Sequence, residues 1–471
     1  MSDAGEADRV VIIGGGLAGL ATAAALADEG VDVELFEARR RLGGRASSWH
    51  DAASGASIDF CQHVGMACCT NFADFCRRTG VADRFRRADV LHFFGPDGRR
   101  CDFRATRGLP APLHLLPSFA RLGYLSLGER ARIGAALRQL ARLPAEQDDA
   151  TIGDWLRAHG QSSRAVKLFW APVLVSALGE AVDKASLKYA RKVFVDGFLR
   201  NAQSYQVDVP TAPLHELFDG VVAAQLRRRG ATLQTGLPIR ALRRSESSAA
   251  WELDLGDDVV RTASQVVVAL AWRRAAELLA PLRYEWPAIS SWSSISGAPI
   301  SGVHLWFDRP LTDLPHAVLV GTLAQWLFRR DSDTAAAAGG EHYYQVVVSA
   351  SYDLEALDRD VAIARIVAEL KQAFPPAAEA RLLRHRVVTE REAVFSARPG
   401  IDALRPPQTT PLEGLFLAGD WTATGWPGTM ESAVRSGYLA AEGVLTKLGR
   451  PRKLIVDDLP LAKLSQRLFR L

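Results

Sequence analysis

The stretch RVVIIGGGLAGLATAAALADEGVDVELFE, residues 9–37, decides the fold. Residues 9–13 are a short β-branched run that predicts a strand, and Gly14–Gly16 break it. Residues 17–29 are Ala-rich and predict a helix closed by Gly30, after which residues 31–37 predict a second strand. A strand, a tight turn, a helix and a strand within about thirty residues predict the first half of a doubly wound parallel sheet.

The same stretch raises the question of a membrane-spanning helix, because Val10–Ala27 is long and apolar. Its density of Gly and Ala, and its change from strand to helix character, favour a buried βα unit instead. The preceding residues, MSDAGEADR, are polar and acidic, unlike a secretory signal peptide. We therefore expect Val10–Ala27 to be buried in a globular domain.

The glycines of the turn have separate tasks. Gly14 permits the tight turn, Gly16 lets the backbone approach a pyrophosphate, and Gly19 allows the helix to pack closely on the strand. The unpaired N–H groups of the helix N-terminus then point at the phosphates. Glu37 ends the next strand, where its carboxylate can accept hydrogen bonds from ribose hydroxyls; a structural turn with a surface glutamate is the alternative. The predicted dinucleotide contacts here are Gly14, Gly16, Leu17, Ala18, Gly19, Glu37, Ala38 and Arg39.

A second glycine pair follows at once in the segment Arg39–Arg45 (RRRLGGR). Gly43 and Gly44 beside the fixed cation of Arg45 form a second anion cradle, suited to the far side of a pyrophosphate. Arg40 and Arg41 belong to a charge run of the kind that usually forms a solvated face. We therefore predict cofactor contacts from both glycines and from Arg45.

The third motif lies near the other end of the chain, at residues 417–431 (LAGDWTATGWPGTME). Asp420, after Gly419 at the end of a predicted strand, can hold a ribityl or ribose hydroxyl. The helix that starts after Gly428, with Thr429 and Met430 first, can place N–H groups and a partial positive charge beside the anionic ring of a reduced flavin. A simple NAD enzyme has no need of a second site so far along the chain, so the two ends together predict FAD.

The composition is that of an ordinary globular protein. The 471 residues are too many for one simple core, and 48% are apolar and 23% charged. A net charge of +4 is too weak to predict nucleic-acid binding but is compatible with an anionic cofactor or membrane surface. The five cysteines lie within residues 61–101 without the spacing of a zinc site, which predicts reduced thiols, and no metal, in a cytoplasmic protein.

Nucleotide-type signals at the start, middle and end of the chain are separated by two long insertions. The fold class predicted is therefore α/β: a doubly wound, discontinuous FAD-binding domain of the Rossmann type, with an inserted α+β substrate domain. The predicted cofactor segments are 8–85, 205–270 and 388–450. Between and after them we predict a helical substrate or membrane-facing segment at 86–204, a substrate-domain sheet at 271–387 and an amphipathic tail at 451–471.

The two terminal motif sets together resemble the flavin amine oxidase and phytoene desaturase superfamily, over most of the chain. Within it the sequence is similar to the hydroxysqualene dehydroxylases, also called squalene-associated FAD-dependent desaturases. The sequence departs from that family at Cys61, where glycine is expected. The stretches that carry this similarity are Ile58–His63, Phe169–Pro172, Val209–Pro210 with Leu214, and Gly419–Pro427.

The resemblance implies an amine-oxidase-like fold and a reductive step in squalene or hopanoid synthesis. An allylic hydroxyl of hydroxysqualene would leave as water, and the reduced flavin would deliver hydride to the resulting cation. This needs a proton donor and a dry aromatic pocket, which the Trp- and Phe-rich second domain can supply. His63 is the candidate donor and Asp59 its candidate orienting group, although a positioning role for His63 and a turn-capping role for Asp59 fit as well. The remaining predicted cofactor contacts are Gln62, His63 and Ile239.

The polyisoprenoid substrate implied by the resemblance lives in a bilayer, and two stretches can reach one. Residues 109–144 open with three prolines and continue into an Arg-studded amphipathic helix. The tail Arg452–Leu471 is also amphipathic; both patterns fit an interfacial helix or a helix docked on the domain. We expect a cytoplasmic protein, peripheral on the inner face of the cytoplasmic membrane. The tail stripe consists of Leu461, Leu464, Leu468 and Leu471, with Lys463, Arg467 and Arg470 around it.

Other classes of protein share these features. A carotenoid-type desaturase or a flavin amine oxidase would use the same cofactor domain, and amine oxidation would demand a polar, amine-sized aromatic cage. A prenyl-binding protein of the GDP-dissociation-inhibitor type would keep the fold without catalysis. Intact Gly419–Asp420 and Pro427–Met430 favour an enzyme, because a protein that had lost flavin would have no reason to retain both ends of the site. The sequence predicts no particular oligomeric state.

Overall fold

Two large β-sheets and the helices packed on them make up most of the molecule. The computed structural model describes residues 9–52, 55–245, 249–330 and 340–470. In chain order, the strands are β1 (Val10–Ile13), β2 (Val33–Glu37), β3 (Ser48–Asp51), β4 (Ala56–Asp59), β5 (Gly65–Met66), β6 (Phe85–Ala88), β7 (Val90–Phe94), β8 (Arg100–Arg104), β9 (Val207–Pro210), β10 (Thr232–Thr235), β11 (Ala241–Arg244), β12 (Trp251–Gly256), β13 (Val259–Ala263), β14 (Gln265–Val268), β15 (Gly297–Phe307), β16 (His316–Leu319), β17 (Trp326–Arg329), β18 (His342–Ser349), β19 (Leu382–Phe395) and β20 (Leu415–Leu417).

The helices connect and cover these strands. They are α1 (Leu17–Asp28), α2 (Thr70–Arg78), α3 (Leu116–Ala120), α4 (Leu127–Arg142), α5 (Ile152–Ala158), α6 (Ser163–Ala165), α7 (Ala171–Leu178), α8 (Leu187–Phe194), α9 (Ala223–Arg228), α10 (Trp272–Leu278), α11 (Tyr352–Glu355), α12 (Arg359–Ala373), α13 (Met430–Lys447) and α14 (Lys463–Phe469). Wider π-helical turns at Val166–Trp170, Val195–Leu199 and Glu216–Val222 extend several of them.

The first sheet is parallel and has the order β10-β2-β1-β14-β20. The predicted strand–helix–strand unit supplies its centre, with Val10 opposite both Val33 and Gln265. All four residues of β1 and of β14 are buried, as expected for strands covered on both faces. Because the strands are parallel, the ends of β1, β14 and β20 that carry Gly14, Ala269 and Gly419 meet at one edge of the sheet.

Helix α1 is buried nearly all round, which explains the apolar run that resembles a membrane span. It packs against α13, where a Cβ on Gly437 would lie 2.5 Å from the carbonyl oxygen of Ala18. The hydroxyl of Thr22 donates to that same carbonyl at 2.9 Å, so its polar atom is satisfied inside the helix pair. Among the described helices, none is long and apolar enough to cross a membrane.

The second large sheet has seven strands in the order β19-β15-β18-β17-β16-β7-β8. Two of its central strands, β15 and β18, pair antiparallel and lie within residues 271–387, where the sequence predicts a substrate-domain sheet. Its strands come from both long insertions, and β19 is one continuous strand across residues 387 and 388, between which the sequence places a domain boundary. The architecture confirms the predicted fold class, a discontinuous Rossmann-type domain with an inserted α+β domain; the segment boundaries stay predictions.

Five tryptophans fall within residues 271–387, the predicted substrate-domain sheet, but three of them are part of the core beside the first sheet. Trp292 packs edge-on against Trp421 at 5.1 Å and against Trp286 at 5.0 Å, and Trp272 is also buried in this cluster. Trp306 is buried under the guanidinium of Arg384. Only Trp326 lies, half-buried, in the apolar cluster next to Cys61.

The region predicted to be helical throughout, residues 151–200, is interrupted between α7 and α8. Gly179 ends α7 with φ +64°, and the chain turns there before Ser186 caps α8. The buried carboxylate of Glu180 holds this turn, accepting hydrogen bonds from Tyr352 and Ser396. The prediction of continuous helix is therefore wrong here for about two turns of chain, and again at residues 159–162, between α5 and α6.

The C-terminal tail is not the single amphipathic helix predicted for residues 451–471. Residues 450–462 are irregular because side chains of the body satisfy their backbone, as where Leu454 N–H and Ile455 N–H donate to Glu442 at 2.6 and 3.0 Å. Only α14 is helical, and it docks through buried Ser465 and Phe469 rather than through the leucine stripe. Leu464 is half-buried and Leu468 exposed, whereas Leu471 lies outside the described residues.

Three buried histidines make the fold sensitive to acid. Burial lowers the pKa of His114 and of His316 to about 4, and that of His304 to about 3. In the unfolded chain these groups titrate near 6.5. As pH falls from 6.5 toward 4, the unfolded state binds protons that the folded state excludes, so the free energy of unfolding decreases over that window and is undiminished above it.

Replacement of His114 by leucine tests this assignment. The side chain is fully buried, and neither ring nitrogen has a hydrogen-bond partner among the residues described. His114→Leu should match or exceed the wild type in stability at pH 8 and lose roughly 2 kcal/mol less on transfer to pH 5. Urea unfolding at the two pH values measures the difference. Equal pH sensitivity of the two proteins would contradict a neutral, buried His114.

Candidate functional site

The two glycine pairs predicted as separate anion cradles lie against each other. The N–H of Gly43 donates to the carbonyl of Gly15 at 2.8 Å. A Cβ on Gly44, where φ is +62°, would lie 3.0 Å from the Cα of Gly16. The turn after β1 and the turn after β2 thus form one glycine-lined wall at the edge of the parallel sheet.

Gly16 leaves a space in front of α1 that fits a phosphate. A Cβ on Gly19 would lie 1.9 Å from the carbonyl oxygen of Gly14, so the helix–strand contact itself requires that glycine. A Cβ on Gly16 would meet nothing in the described structure nearer than the Cα of Gly44 at 3.9 Å. Helix α1 begins at Leu17 without a side-chain cap, so its first N–H groups face this space. A phosphate there accounts for the missing side chain, and the residues therefore fit the predicted nucleotide.

Glu37 stands beside this space with its carboxylate already oriented. Its Oε2 accepts from Gly15 N–H at 2.7 Å and its Oε1 from Arg39 N–H at 2.8 Å. The loop after β10, which carries half-buried Ile239, is tied to the same place because Gly236 N–H donates to the carbonyl of Arg39 at 2.9 Å. Ala38 and Arg39 are exposed at its rim. The ribose contact of Glu37 stays a prediction that this geometry permits.

Arg45, which the sequence predicts as a cofactor contact, forms an ion pair with Asp420. Its guanidinium donates to the Asp420 carboxylate and, at 2.8 Å, to the carbonyl of Ala393. Burial by itself would lower the pKa of Arg45, but the charge and hydrogen bond of Asp420 outweigh it and raise the pKa. The pair brings the second glycine pair and the C-terminal motif together in one site.

The start of α13 completes this end of the site. Thr429 caps the helix, its hydroxyl accepting from Ser432 N–H at 3.2 Å, and Thr429 and Met430 are half-buried. Gly428 is needed because a Cβ there would lie 3.3 Å from the Asp420 carboxylate and 3.1 Å from Val394. The N-terminus of an 18-residue helix therefore lies beside Asp420, where its partial charge can stabilise an anionic ring.

Arg405, which no sequence motif marks, holds the loop between Asp420 and Trp426. The guanidinium is buried and donates to the carbonyls of Thr422 at 2.6 Å and Trp426 at 2.9 Å. It also reaches the carbonyls of Asp420 and Trp421, each at 3.2 Å. One cation thus satisfies four main-chain oxygens of the Gly419–Pro427 motif.

Arg405 is itself held from the helical insertion. Its guanidinium donates to the hydroxyl of Tyr189 on α8 and to the Asp402 carboxylate at 3.1 Å. Burial opposes ionisation of Asp402, but hydrogen bonds from Lys188 and Tyr189 outweigh it and lower its pKa. The loop at the flavin end is therefore coupled to the domain that would contact substrate.

Asp59 and Arg330 form a second buried ion pair, at 3.3 Å, that joins two of the motif stretches. Asp59 also accepts from Ser48 Oγ at 2.6 Å and from Leu214 N–H at 2.8 Å, which caps the helical segment that starts at residue 214. Arg330 donates to Gln62 Oε1 at 2.9 Å. This matches the capping role of Asp59; among the described residues, the ring of His63 bonds to the Cys61 carbonyl and not to Asp59.

His63 is oriented by the main chain. Its Nδ1 lies 2.9 Å from the carbonyl oxygen of Cys61, and because that oxygen can only accept, Nδ1 carries the hydrogen. Burial lowers the pKa of His63, partly offset by this bond and by the charge of Asp59. The neutral ring thus presents a lone pair at Nε2, which favours the positioning role over the predicted role as proton donor.

Cys61 fits its place although glycine is expected there. Among the residues described, positive φ outside glycine occurs at Asp257, Asp258, Ala350 and Arg470, so the backbone at Cys61 needs no glycine. Burial raises the pKa of the Cys61 thiol to about 12. The thiol is therefore not a ready nucleophile but a small apolar side chain.

The nucleotide cradle at one end and the paired Asp420 and helix N-terminus at the other define a flavin-dependent oxidoreductase. The profile of the family described as flavin containing amine oxidoreductase matches residues 17–445. The chain belongs to that family.

Similar proteins of known name agree with this assignment. A hydroxysqualene dehydroxylase of Rhodopseudomonas palustris is 30% identical, over 93% of this chain and 98% of that protein. A second, from Sinorhizobium fredii, is 27% identical, over 93% and 99% respectively. A zeta-carotene desaturase of Synechocystis is 25% identical, over 94% and 98%. The predicted resemblance to the hydroxysqualene dehydroxylases is confirmed.

Solved structures show the same fold. Cyclohexylamine oxidase from Brevibacterium oxydans has a TM-score of 0.67 at 18% identity, covering 94% of this chain and all of that one. An oxidoreductase from Methanosarcina mazei has a TM-score of 0.70 at 17% identity, covering 93% of this chain and all of that one.

The space at Gly16 gives a direct test of the nucleotide cradle. Gly16 has φ −75°, which alanine adopts without strain, so Gly16→Ala should fold with the thermal midpoint of the wild-type apoprotein. The added methyl group would occupy the space of the phosphate, so flavin affinity should fall by about tenfold or more. Absorbance titration of the apoprotein measures this. Gly134→Ala, in open space on α4, is the control; wild-type affinity in Gly16→Ala would contradict the cradle.

Arg405→Lys tests the support of the C-terminal loop. Lysine keeps the charge but cannot reach four carbonyls in different directions, so buried acceptors lose their donors at a cost of about 1–3 kcal/mol. We expect a lower thermal midpoint and faster flavin loss, measured by calorimetry and by fluorescence of released flavin. Arg391→Lys alters an arginine whose side chain is 86% exposed and should change neither. Unchanged flavin retention in Arg405→Lys would show that the loop holds its shape without the guanidinium.

Proposed function

We propose that this protein binds FAD and reductively removes the hydroxyl group of hydroxysqualene to give squalene. The observation that carries the proposal is an apolar cluster that begins beside His63 and reaches the helical insertion, which suits a long hydrocarbon. The bound reduced flavin would supply a hydride to the allylic carbon, and the hydroxyl would leave as water with one proton taken up from the medium.

FAD is favoured over a shorter flavin by the length of the site. The phosphate space at Gly16 and the oriented carboxylate of Glu37 serve an adenosine diphosphate end. Asp420 and the start of α13 serve a flavin end. The Arg45–Asp420 ion pair joins the N-terminal and C-terminal parts of the chain that build the site. A flavin mononucleotide has no adenosine part, so it would leave the contacts at Gly16 and Glu37 unused.

The apolar cluster supplies the dry surroundings that a hydrocarbon cation requires. Cys61 and Val64, which flank Gln62 and His63, pack with Phe103 and Trp326 and with buried Leu115. Phe169 of the family motif continues the aromatic surface, packing edge-on against Phe119 at 5.4 Å. Aromatic faces stabilise a nearby cation, and the absence of water prevents its capture.

His63 would position the hydroxyl of the substrate. Its Nε2 lone pair can accept the hydroxyl hydrogen, and the bond of Nδ1 to the Cys61 carbonyl fixes the ring for that task. Burial keeps the ring neutral near pH 7, because it lowers the pKa of His63. The hydroxyl would thus be held in one orientation, and its oxygen lone pairs would stay free to take up the proton with which it leaves as water.

A carotenoid-type desaturase is the second candidate, and the Synechocystis relative favours it. Such an enzyme would use the same apolar interior and pass electrons in the opposite direction, from hydrocarbon to flavin. A flavin amine oxidase is less well supported, since the cluster beside His63 is apolar.

Anaerobic turnover distinguishes these functions. The holoprotein with chemically reduced flavin and hydroxysqualene should yield squalene, detected by mass, whereas the oxidised holoprotein with zeta-carotene should yield nothing. His63→Phe should lower kcat/KM by about tenfold to a hundredfold, the cost of one hydrogen bond, with flavin content unchanged; His50→Phe, on an exposed residue, is the control. Oxidation of zeta-carotene, or of amines with peroxide release, with hydroxysqualene untouched would reject the proposal.

A further inference from the structure

The outer side of the helical stretch at residues 113–120 carries a row of exposed apolar side chains. Leu113 and Leu116 are 36% and 54% exposed, Ala120 is exposed, and Leu109, in the irregular segment before the helical stretch, is 38% exposed. Spacings of three and four residues align Leu113, Leu116 and Ala120 on one side of the helical stretch, while Leu115 is buried on the other. Large apolar side chains in a row on a surface mark a contact with a partner.

The flanks of this row are basic. Between residues 103 and 128 the sequence contains Arg104, Arg107 and Arg121 and no Asp or Glu, and all three arginines are exposed. The surface extends to Leu127, which is 78% exposed at the start of α4. Arg130 on α4 donates to the carbonyl of Ala120, which holds α4 beside α3. We call the exposed side chains of Leu109, Leu113, Leu116 and Leu127 with these three arginines the leucine–arginine surface.

We propose that the leucine–arginine surface docks on an anionic lipid bilayer. Leucines on one side of a helix can enter the boundary between headgroups and acyl chains, and arginines at their edge complement lipid phosphates. A protein partner would offer matching carboxylates, but it would not require the polar groups to lie only at the rim. The expected location, the inner face of the cytoplasmic membrane, supplies such a surface.

The basic character continues along α4 to the C-terminal helix. Arg142 donates to the carbonyl of Leu468 at 2.9 Å, so α14 packs beside the end of α4. Arg138 on α4 and Arg470 after α14 add to this charge, and desolvation together with their charges lowers the pKa of Arg142. The two stretches identified separately in the sequence thus join in one region of the molecule.

The buried side of the same stretch leads to the site. Leu115 packs in the apolar cluster that contains Cys61 and Val64, the neighbours of His63. A lipid entering beside Leu115 would reach that cluster without crossing water. This delivery role rests on the polyisoprenoid substrate proposed above, whereas docking on the bilayer does not.

Vesicle flotation tests the docking. The holoprotein should float with vesicles of phosphatidylglycerol and phosphatidylcholine, less so at high salt, and should stay at the bottom with phosphatidylcholine alone. The double variant Leu113→Glu/Leu116→Glu should lose at least tenfold in the bound fraction. Val361→Glu, at a 55% exposed valine on α12, is the matched control and should float like the wild type. The proposal is overturned if the wild type fails to float with anionic vesicles or if the double variant floats equally well. It is also overturned if the wild type is a dimer in solution and the double variant a monomer, since a second copy would then cover this surface.

A comparison of substrate forms tests the delivery role. The double variant should turn over hydroxysqualene dispersed in detergent like the wild type, and at least tenfold more slowly when the substrate is embedded in anionic vesicles. Equal rates in both forms overturn the delivery role, and so does an equal loss in both. If the wild type converts no hydroxysqualene in detergent, the proposed function fails, and flotation alone then decides the docking.

Discussion

The ion pair between Arg45 and Asp420 is the contact on which the arrangement of the site depends. It joins the turn after β2 to the end of β20, 375 residues apart in sequence, and the carboxylate side chain is only 6% exposed. A carboxylate so buried is stable only when it is paired, so the two ends of the chain must meet for either to fold as observed. Gly428 permits this approach, because any side chain there would crowd Asp420.

Two further arginines extend the same principle into the substrate side. Arg330 pairs with Asp59 and binds the segment before His63, while Arg405 fills the loop after Asp420 with hydrogen bonds to its carbonyls. Both are buried, and each meets several acceptors, which is the condition under which a buried guanidinium stabilises structure rather than costing it. The shape of the two motif loops is thus set by cations that lie outside the motifs.

The chemistry proposed for the site follows from its division into polar and apolar halves. Main-chain N–H groups and paired charges gather where a dinucleotide would lie, and apolar side chains gather beside His63. That histidine is polar but neutral, fixed by the Cys61 carbonyl, and so can align a hydroxyl without bringing charge into the hydrocarbon region. Under the proposed docking, the leucine–arginine surface would lie against the bilayer, while buried Leu115 behind it packs in the apolar cluster beside His63.

The sequence by itself determined the strand–turn–helix–strand unit, the roles of Gly14 and Gly19, and the helix start at Thr429, because each depends on neighbours within a few residues. It predicted the fold class correctly for the same reason, and it named both parts of the Arg45–Asp420 pair without showing that they meet. Only the tertiary structure decided that Arg405 organises the C-terminal loop, since no local pattern separates a buried arginine from a surface one. It also decided that most of the tail is irregular: amphipathic spacing permits a helix, but the tail backbone is bound by Asn71, 385 residues away in sequence, and by Glu442 on the preceding helix α13.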